Sequence, residues 1–316
     1  MNRGTRCEVR GARLLCYGVF CLQGNLAPRT SKILSRMMRL LLCAQLMLLA
    51  LTAYATGQEG DVIYINGERL TLLGNPICLD STLYHTLKGE LPSNRPVVTS
   101  NWDGYTAYWS INNDKLCLDS VRCEAYDPNA NAIVDESIPS ETLYRIFSSY
   151  RAGNRIVASW VSGKLRVAKG KVIYYQHIGF ERNYEEETIL DIARGKVIGK
   201  KKYHHFVSEG FSFDKLEQKG AQELLHKILS LHIERYPELA NVKRLVFRVK
   251  RARVDKKGNL LECDVQVVRP DANPQLATEI AEALKAYHPW KVYYINGEYR
   301  ALGIEGWTIP CILHDK

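Results

Sequence analysis

RLVFRVKRARVDKKGNLLECDVQVVRP, residues Arg244–Pro270, is the stretch whose register decides how the best-marked module of the chain folds. Leu245, Phe247 and Val249 alternate as on a half-buried strand. The apolar parity then moves to Ala252 and Val254. One extra residue at Lys250, a β-bulge, reconciles the two halves. With a turn at Lys256–Asn259, the bulged hairpin sets Ala252 against Cys263, Val254 against Leu261, Val249 against Val265 and Phe247 against Val267. Its outer face then pairs Arg251 with Asp264 and Arg253 with Glu262, opposite charges across the ladder. A regular hairpin would carry Lys250 to the apolar side.

A helix follows. Asn273 suits the N-cap and Pro274 the first helical position. Leu276, Ile280, Leu284 and Tyr287 form one stripe, with Ala277, Ala281 and Ala283 beside it to let the helix lie close to a sheet. Pro289 ends it. An extended passage runs from Trp290 through the Asn296–Gly297 turn to Pro310. Upstream, Ala221, Leu224, Leu225, Ile228, Leu231 and Ile233 predict another helix, with Asp214 and Glu217 as its capping box, Gly220 as a weak point and Pro237 as its stop.

This order of elements resembles the C-terminal domain of the TonB energy-transducer family. The residues carrying the resemblance are Asp255 and Gly258 of the D-x-x-G turn, Pro289 and Trp290 after the helix, Asn296 and Gly297, and Pro310 in the final strand. It implies two helices packed on a small antiparallel sheet with an exposed edge, to which an extended peptide adds as a further strand. The final strand, Glu305–Leu313, is then the partner-contact segment, with Glu305, Trp307, Ile309 and Cys311 as its candidate residues.

Residues 1–36 hold seven basic residues and three cysteines without sustained periodicity, and read as an extension foreign to the rest. Residues 37–55 read as a secretory signal peptide: Met37-Met38-Arg39, the apolar run Leu40–Leu51, and Ala53-Tyr54-Ala55 with cleavage between Ala55 and Thr56. The run is short for a membrane span. Without residues 1–55 the net charge falls from +9 to +2, so a nucleic-acid partner is not supported. The expected location is the cell envelope, periplasmic or surface-associated. Membrane attachment requires an uncleaved leader. Cys78, Cys117, Cys123, Cys263 and Cys311 show no metal-type spacing and are expected to be mostly buried thiols, with at most one or two bridges.

Residues 56–208 read as an antiparallel β-rich domain with two short helices, ahead of a boundary at Ser208–Phe213 and a second domain over 213–316. The fold class is α+β. Asn66–Gly67 turns Val62–Ile65 into Arg69–Leu72, and the same YINGE pentapeptide recurs at Tyr294–Glu298, one hairpin signature used twice. Asp80 caps a helix over Ser81–Lys88. Tyr105, Ala107, Trp109 and Ile111 alternate on a strand that turns at Asn112–Asn113 into Leu116–Arg122. Asp127–Pro139 reads as a loop. Ser140 caps a helix with Leu143, Ile146, Phe147 and Tyr150 on one face. Strands are expected at Ile156–Val161, Lys164–Val167 and Val172–Ile178, then a hairpin, Thr188–Lys201, turning at Arg194–Gly195. The opening of this part, YINGE then NWDGYTAYW, is similar to uncharacterised secreted proteins of Gram-negative bacteria, which implies export alone.

Trp102 and Tyr108 are candidates for stacking on a glycan, against a core role for the aromatic cluster they belong to. His204 and His205 are adjacent on a strand and point opposite ways, against a shared metal. Glu185–Glu187 reads as a solvated acidic turn. No catalytic constellation, nucleotide fingerprint or cofactor motif occurs in the sequence. The expected function is therefore a non-enzymatic protein- or peptide-binding module with no cofactor. The alternatives are a membrane-anchored TonB-like transducer and a glycan-binding or carbohydrate-active protein.

Overall fold

The computed structural model describes residues 57–218, 220–231, 235–271 and 274–313. The 1–36 extension, the leader with its Ala55–Thr56 junction, Ile233 and the Asn273 cap lie outside the described residues. The described residues form a mixed α+β fold, mostly sheet, with four α-helices. Among them no helix is long and apolar enough to cross a membrane.

Strands β1 (Asp61–Ile65) and β2 (Glu68–Leu72) form the first hairpin. Asn66 and Gly67 take φ +53° and +80°, as its two-residue turn requires. Helix α1 (Ser81–Glu90) is capped by the Asp80 carboxylate, which accepts from the Thr82 and Leu83 N–H groups. Strands β3 (Thr106–Asn112), β4 (Lys115–Asp127) and β5 (Ala132–Ser137) follow, then helix α2 (Ser140–Ile146). Strands β6 (Arg151–Ala152), β7 (Arg155–Val157), β8 (Gly163–Tyr175), β9 (Arg182–Ala193) and β10 (Lys196–His204) complete a ten-stranded sheet. Its order is β10-β9-β8-β2-β1-β3-β4-β7-β6, with β5 on β4. β10 meets β4 again at Lys196 and Lys115, so seven strands curl into a nearly closed ring. The concave face carries a first hydrophobic cluster that includes Ile63, Leu72, Trp109, Leu118, Val167 and Leu190, with Leu87 of α1 and Phe147 after α2.

Five expectations for this part are corrected. The sheet is not wholly antiparallel, because β3 runs parallel to β1. The chain leaves β2, crosses through α1 and returns on the far side of β1, the long crossover a parallel pair needs. Within Asp127–Pro139 lies strand β5, which escapes an alternation test because most of its side chains are exposed. Lys164–Val167 and Val172–Tyr175 belong to one strand, β8, whose register shifts around Gly170. Ser140 is the first helical residue, and its side chain makes no capping bond. The β3–β4 turn also sits one residue later than read, at Asn113–Asp114. The Arg194–Gly195 turn of the β9–β10 hairpin lies where the sequence puts it.

The rest of the chain builds a second cluster. It comprises β11 (Phe206–Val207), α3 (Ala221–Leu229), β12 (Arg244–Val254), β13 (Leu260–Arg269), α4 (Pro274–Ala286), β14 (Tyr293–Ile295), β15 (Glu298–Arg300) and β16 (Thr308–Ile312). Two three-stranded sheets result, β11-β14-β15 and β13-β12-β16. Asn296 and Gly297 turn the second YINGE copy with φ +55° and +89°. The segment before α3 already belongs here: Phe206 pairs with Tyr294, and Phe211 and Phe213 lie in this cluster with Leu225, Phe247, Leu284 and Trp290.

The hairpin register holds at its centre. The shift falls between Val249 and Arg251, and Phe247, Val249, Ala252 and Arg253 meet the partners read from the sequence. A further shift sets Val254 against Leu260 instead of Leu261, so Leu261 is exposed. Gly258 in the turn has φ +83°, and a Cβ there would stand 2.5 Å from the Trp290 carbonyl oxygen. Its own carbonyl accepts the Trp290 N–H at 2.9 Å. The glycine is needed both for its dihedral and for this approach. The leading helix is shorter than expected. Gly220, at φ +83°, marks its start rather than weakening its middle, and Ser230, at φ +42°, ends it. Asp214 does not cap it; its carboxylate accepts from Ser212 Oγ and Lys291 Nζ.

Candidate functional site

In the order β13-β12-β16, β16 is a sheet edge. The Leu313 N–H donates to the Lys243 carbonyl at 3.0 Å, and the Val249 N–H to the Trp307 carbonyl at 3.0 Å. By the period-two ladder, Ile309 and Cys311 address β12, and Thr308, Pro310 and Ile312 turn their backbone groups to the open side. Pro310 has no N–H to offer there, and its carbonyl accepts the Gln222 side-chain amide of α3 at 3.2 Å. Ile309 and Cys311 have their side chains in the second cluster. Of the four residues proposed for partner contact, these two are corrected: both backbone and side chain are engaged inside. Trp307 is 38% exposed and Glu305 partly so.

A cleft of about 790 Å³ opens beside the Thr308 end of β16. Glu305, Trp307, Asp214 and Lys291 line it on one side, and Tyr174 and Tyr175 of β8 on the other. The indole of Trp307 is held by its Nε1–H to the Leu302 carbonyl at 3.1 Å. Lys291 reaches Asp214 at 3.0 Å and lies over the Tyr293 ring at 5.3 Å. Burial pulls the Lys291 ammonium down, but its hydrogen bonds to Tyr293 and Asp214 together outweigh this and hold it above the ordinary lysine range. Tyr174 meets Tyr293 edge-on at 5.4 Å, so the cleft wall ties the curled sheet to the second cluster.

Trp102 and Tyr108 occupy two adjoining hollows rather than one platform. Trp102 is 71% exposed in the loop after α1, beside Lys88, Arg95 and Val97. Tyr108 lies under the Arg122 guanidinium, 5.4 Å from the ring centre, and Arg122 is paired with Asp135 at 2.9 Å. Tyr105 and Trp109 are core residues.

The charged candidates are structural. Glu187 is not part of a solvated turn. Its side chain is fully buried, and it accepts from Arg166 Nε and Nη2, Asn183 Nδ2 and the Tyr184 N–H. His205 is buried against the Tyr184 carbonyl while His204 is exposed, and no group of three or more metal-ligating side chains forms among the described residues. Cys78, Cys117, Cys123, Cys263 and Cys311 are free. Burial pushes the Cys263 thiol up to about 12 and the Cys311 thiol up to about 11, away from a nucleophilic thiolate.

One constellation went unread in the sequence. Asp61 is buried at the start of β1, and its oxygens accept the Ala107 N–H and the Trp109 Nε1–H, each at 2.9 Å. Burial, opposed by these bonds and reinforced by Asp103, raises its carboxyl to about 7. Asp103 in turn accepts from Asn75 and Tyr84, and Tyr105 donates to Asn75. No spacing in the sequence signals this network, because its members come from four separate segments. No protein-family model, curated protein or solved structure matches the chain.

Proposed function

We propose that the chain is an exported, two-domain, non-enzymatic module of the cell envelope that captures an extended peptide by strand addition. In this reading residues 56–208 form the β-rich domain and 213–316 a domain like the C-terminal one of TonB. The observation that carries it is the β16 edge: a short outer strand, flanked by an exposed indole, beside a cleft large enough for a chain end. The order β13-β12-β16, with α3 and α4 on the inner face, supports the resemblance. Pro310, with no N–H and with its carbonyl held by Gln222, limits the added strand to bonds with Thr308 and Ile312. Side-chain contact falls to Trp307 and Glu305.

Site-specific photo-crosslinking tests this. A photoreactive residue replaces Thr308 in one strain and Gln266, on the opposite edge strand, in another. An adduct with one exported protein from position 308 and none from 266 is the expected result. No adduct at 308, or the same adducts at both, overturns strand addition at β16. The intact mass of the protein from fractionated cells tests export separately: a mass beginning at Thr56 is expected, and one retaining Met37 or Met38 in the inner membrane favours the transducer.

A further inference from the structure

The ring of strands is open at the end where the β1–β2 turn stands beside β8, β9 and β10. That mouth holds a cavity of about 400 Å³, within the ~300–1,000 Å³ range of small-molecule pockets, which commonly form in barrel mouths. The register decides what lines it. Leu190 of β9 stands opposite Leu165 of β8 and Lys200 of β10, and Thr188 stands opposite Val167 and Lys202. Residues directly opposite share a face. Lys200 and Lys202 therefore project from the same concave face as the core residues Leu190 and Val167, and those two with Ile65 and Leu70 give the cavity an apolar floor.

The rim is charged unevenly. Lys169 is matched by Glu68 at 2.6 Å, and Glu186 lies in its field as well. Glu186 stands opposite His204 and diagonal to Lys202 on this face, and among the described residues neither Lys200 nor Lys202 makes a close ion pair with it or with another acid. Two ammonium groups two residues apart on one strand face repel each other, and a shared counter-anion relieves that repulsion. An apolar floor below and two unmatched cations above define the complement of an amphiphile with one anionic end.

We infer that this mouth binds an amphipathic carboxylate, with its acyl chain on the Leu70–Val167–Leu190 floor and its carboxylate between Lys200 and Lys202. The site is separate from the Trp307 cleft and does not depend on peptide capture.

The test is calorimetric titration of dodecanoate into the full chain, with dodecyltrimethylammonium as the probe of the chain alone and acetate as the probe of the head alone. Saturable dodecanoate binding is expected, with the cationic amphiphile at least about tenfold weaker and acetate giving no saturable heat. Lys200→Gln/Lys202→Gln weakens dodecanoate binding about tenfold, and Lys200→Glu/Lys202→Glu weakens it further. Both lysines are exposed, so the folded state of these variants is checked by thermal melting. Thr188→Phe, which narrows the mouth without changing charge, lowers dodecanoate affinity as well. The inference is overturned by no saturable binding, by equal binding of both amphiphiles, by acetate binding as strong as dodecanoate, or by unchanged affinity in both charge variants.

Discussion

The curled sheet and the β12–β13 hairpin treat charge in opposite ways, and two Arg–Glu pairs show it. Arg166 and Glu187 pair across β8 and β9 with the Glu187 side chain wholly buried. Arg253 and Glu262 pair across β12 and β13 with both side chains more than half exposed. Each is a cross-strand pair of the same chemistry. The first cluster also buries Asp61, whereas the second closes over aromatic contacts between Trp290, Phe211, Phe213 and Tyr287. Burial, not the identity of the pair, decides whether a charge is dispensable. In water an ion pair loses little when one partner goes, but inside it leaves an uncompensated charge.

The largest expected effects remove the buried ion pair on the outer face of the curled sheet and the aromatic centre of the second cluster. Glu187→Ala leaves Arg166 without its buried partner and costs about 3–5 kcal/mol by denaturant unfolding. Arg166→Met/Glu187→Leu, which removes both charges and keeps volume, recovers part of that loss, because the Tyr184 N–H and the Asn183 amide still lack their acceptor. Trp290→Ala costs about 3–5 kcal/mol by cavity formation alone, and no second substitution of a charge restores it. Followed by calorimetry, the two single variants also probe the two-domain layout. Independent domains give two transitions, with Glu187→Ala lowering one and Trp290→Ala the other.

A pH titration sharpens the same contrast. Asp61 has its carboxyl raised from 3.8 to about 7 by burial. The folded state therefore keeps the proton in a range where the unfolded chain has released it. The stabilisation is complete below about pH 4 and is lost progressively as pH rises through about 7, at most about 4 kcal/mol. Unfolding at pH 5 should need more denaturant than at pH 8. Asp61→Asn flattens that difference and lowers stability at pH 5, because its amide turns an N–H toward one of the two donors that Asp61 accepts. Trp290→Ala leaves the pH slope unchanged. An equal slope in wild type and Asp61→Asn would show that Asp61 titrates near its ordinary value.

The second cluster was the more readable in sequence, for a physical reason. Its hairpin is local, so alternation, one bulge and the Asp255–Gly258 turn fix which residues face each other. Even there the reading failed at Val254 and at Gly220, where backbone dihedrals and not apolar pattern set the element ends. In the first cluster the β1–β2, β3–β4 and β9–β10 hairpins were readable, but strand β5, the length of β8 and the assembly of the sheet were not. The β1–β3 pairing joins segments separated by a helix, and the β10–β4 closure joins two turns far apart in the chain. The β16 edge shows the same limit. Alternation marked Trp307, Ile309 and Cys311 as one set, but only the neighbour β12 decides which set faces inward. Glu187 and Asp61 look like ordinary acids until the strands that bury them are placed.

The smallest expected effect completes the comparison. Arg253 donates to Glu262 at 2.6 and 2.9 Å, and this bonding holds the Glu262 carboxyl below its ordinary range. Both groups stand in water, so salt screens the attraction. A double-mutant cycle with Arg253→Ala and Glu262→Ala should give a weak favourable coupling at low salt that disappears in 1 M sodium chloride. The matching cycle on Arg166 and Glu187 should keep a large coupling in the same salt, because solvent ions do not reach a fully buried carboxylate. If both couplings fell together, the Arg166–Glu187 pair would be solvated, and the contrast between the two clusters would rest on packing alone.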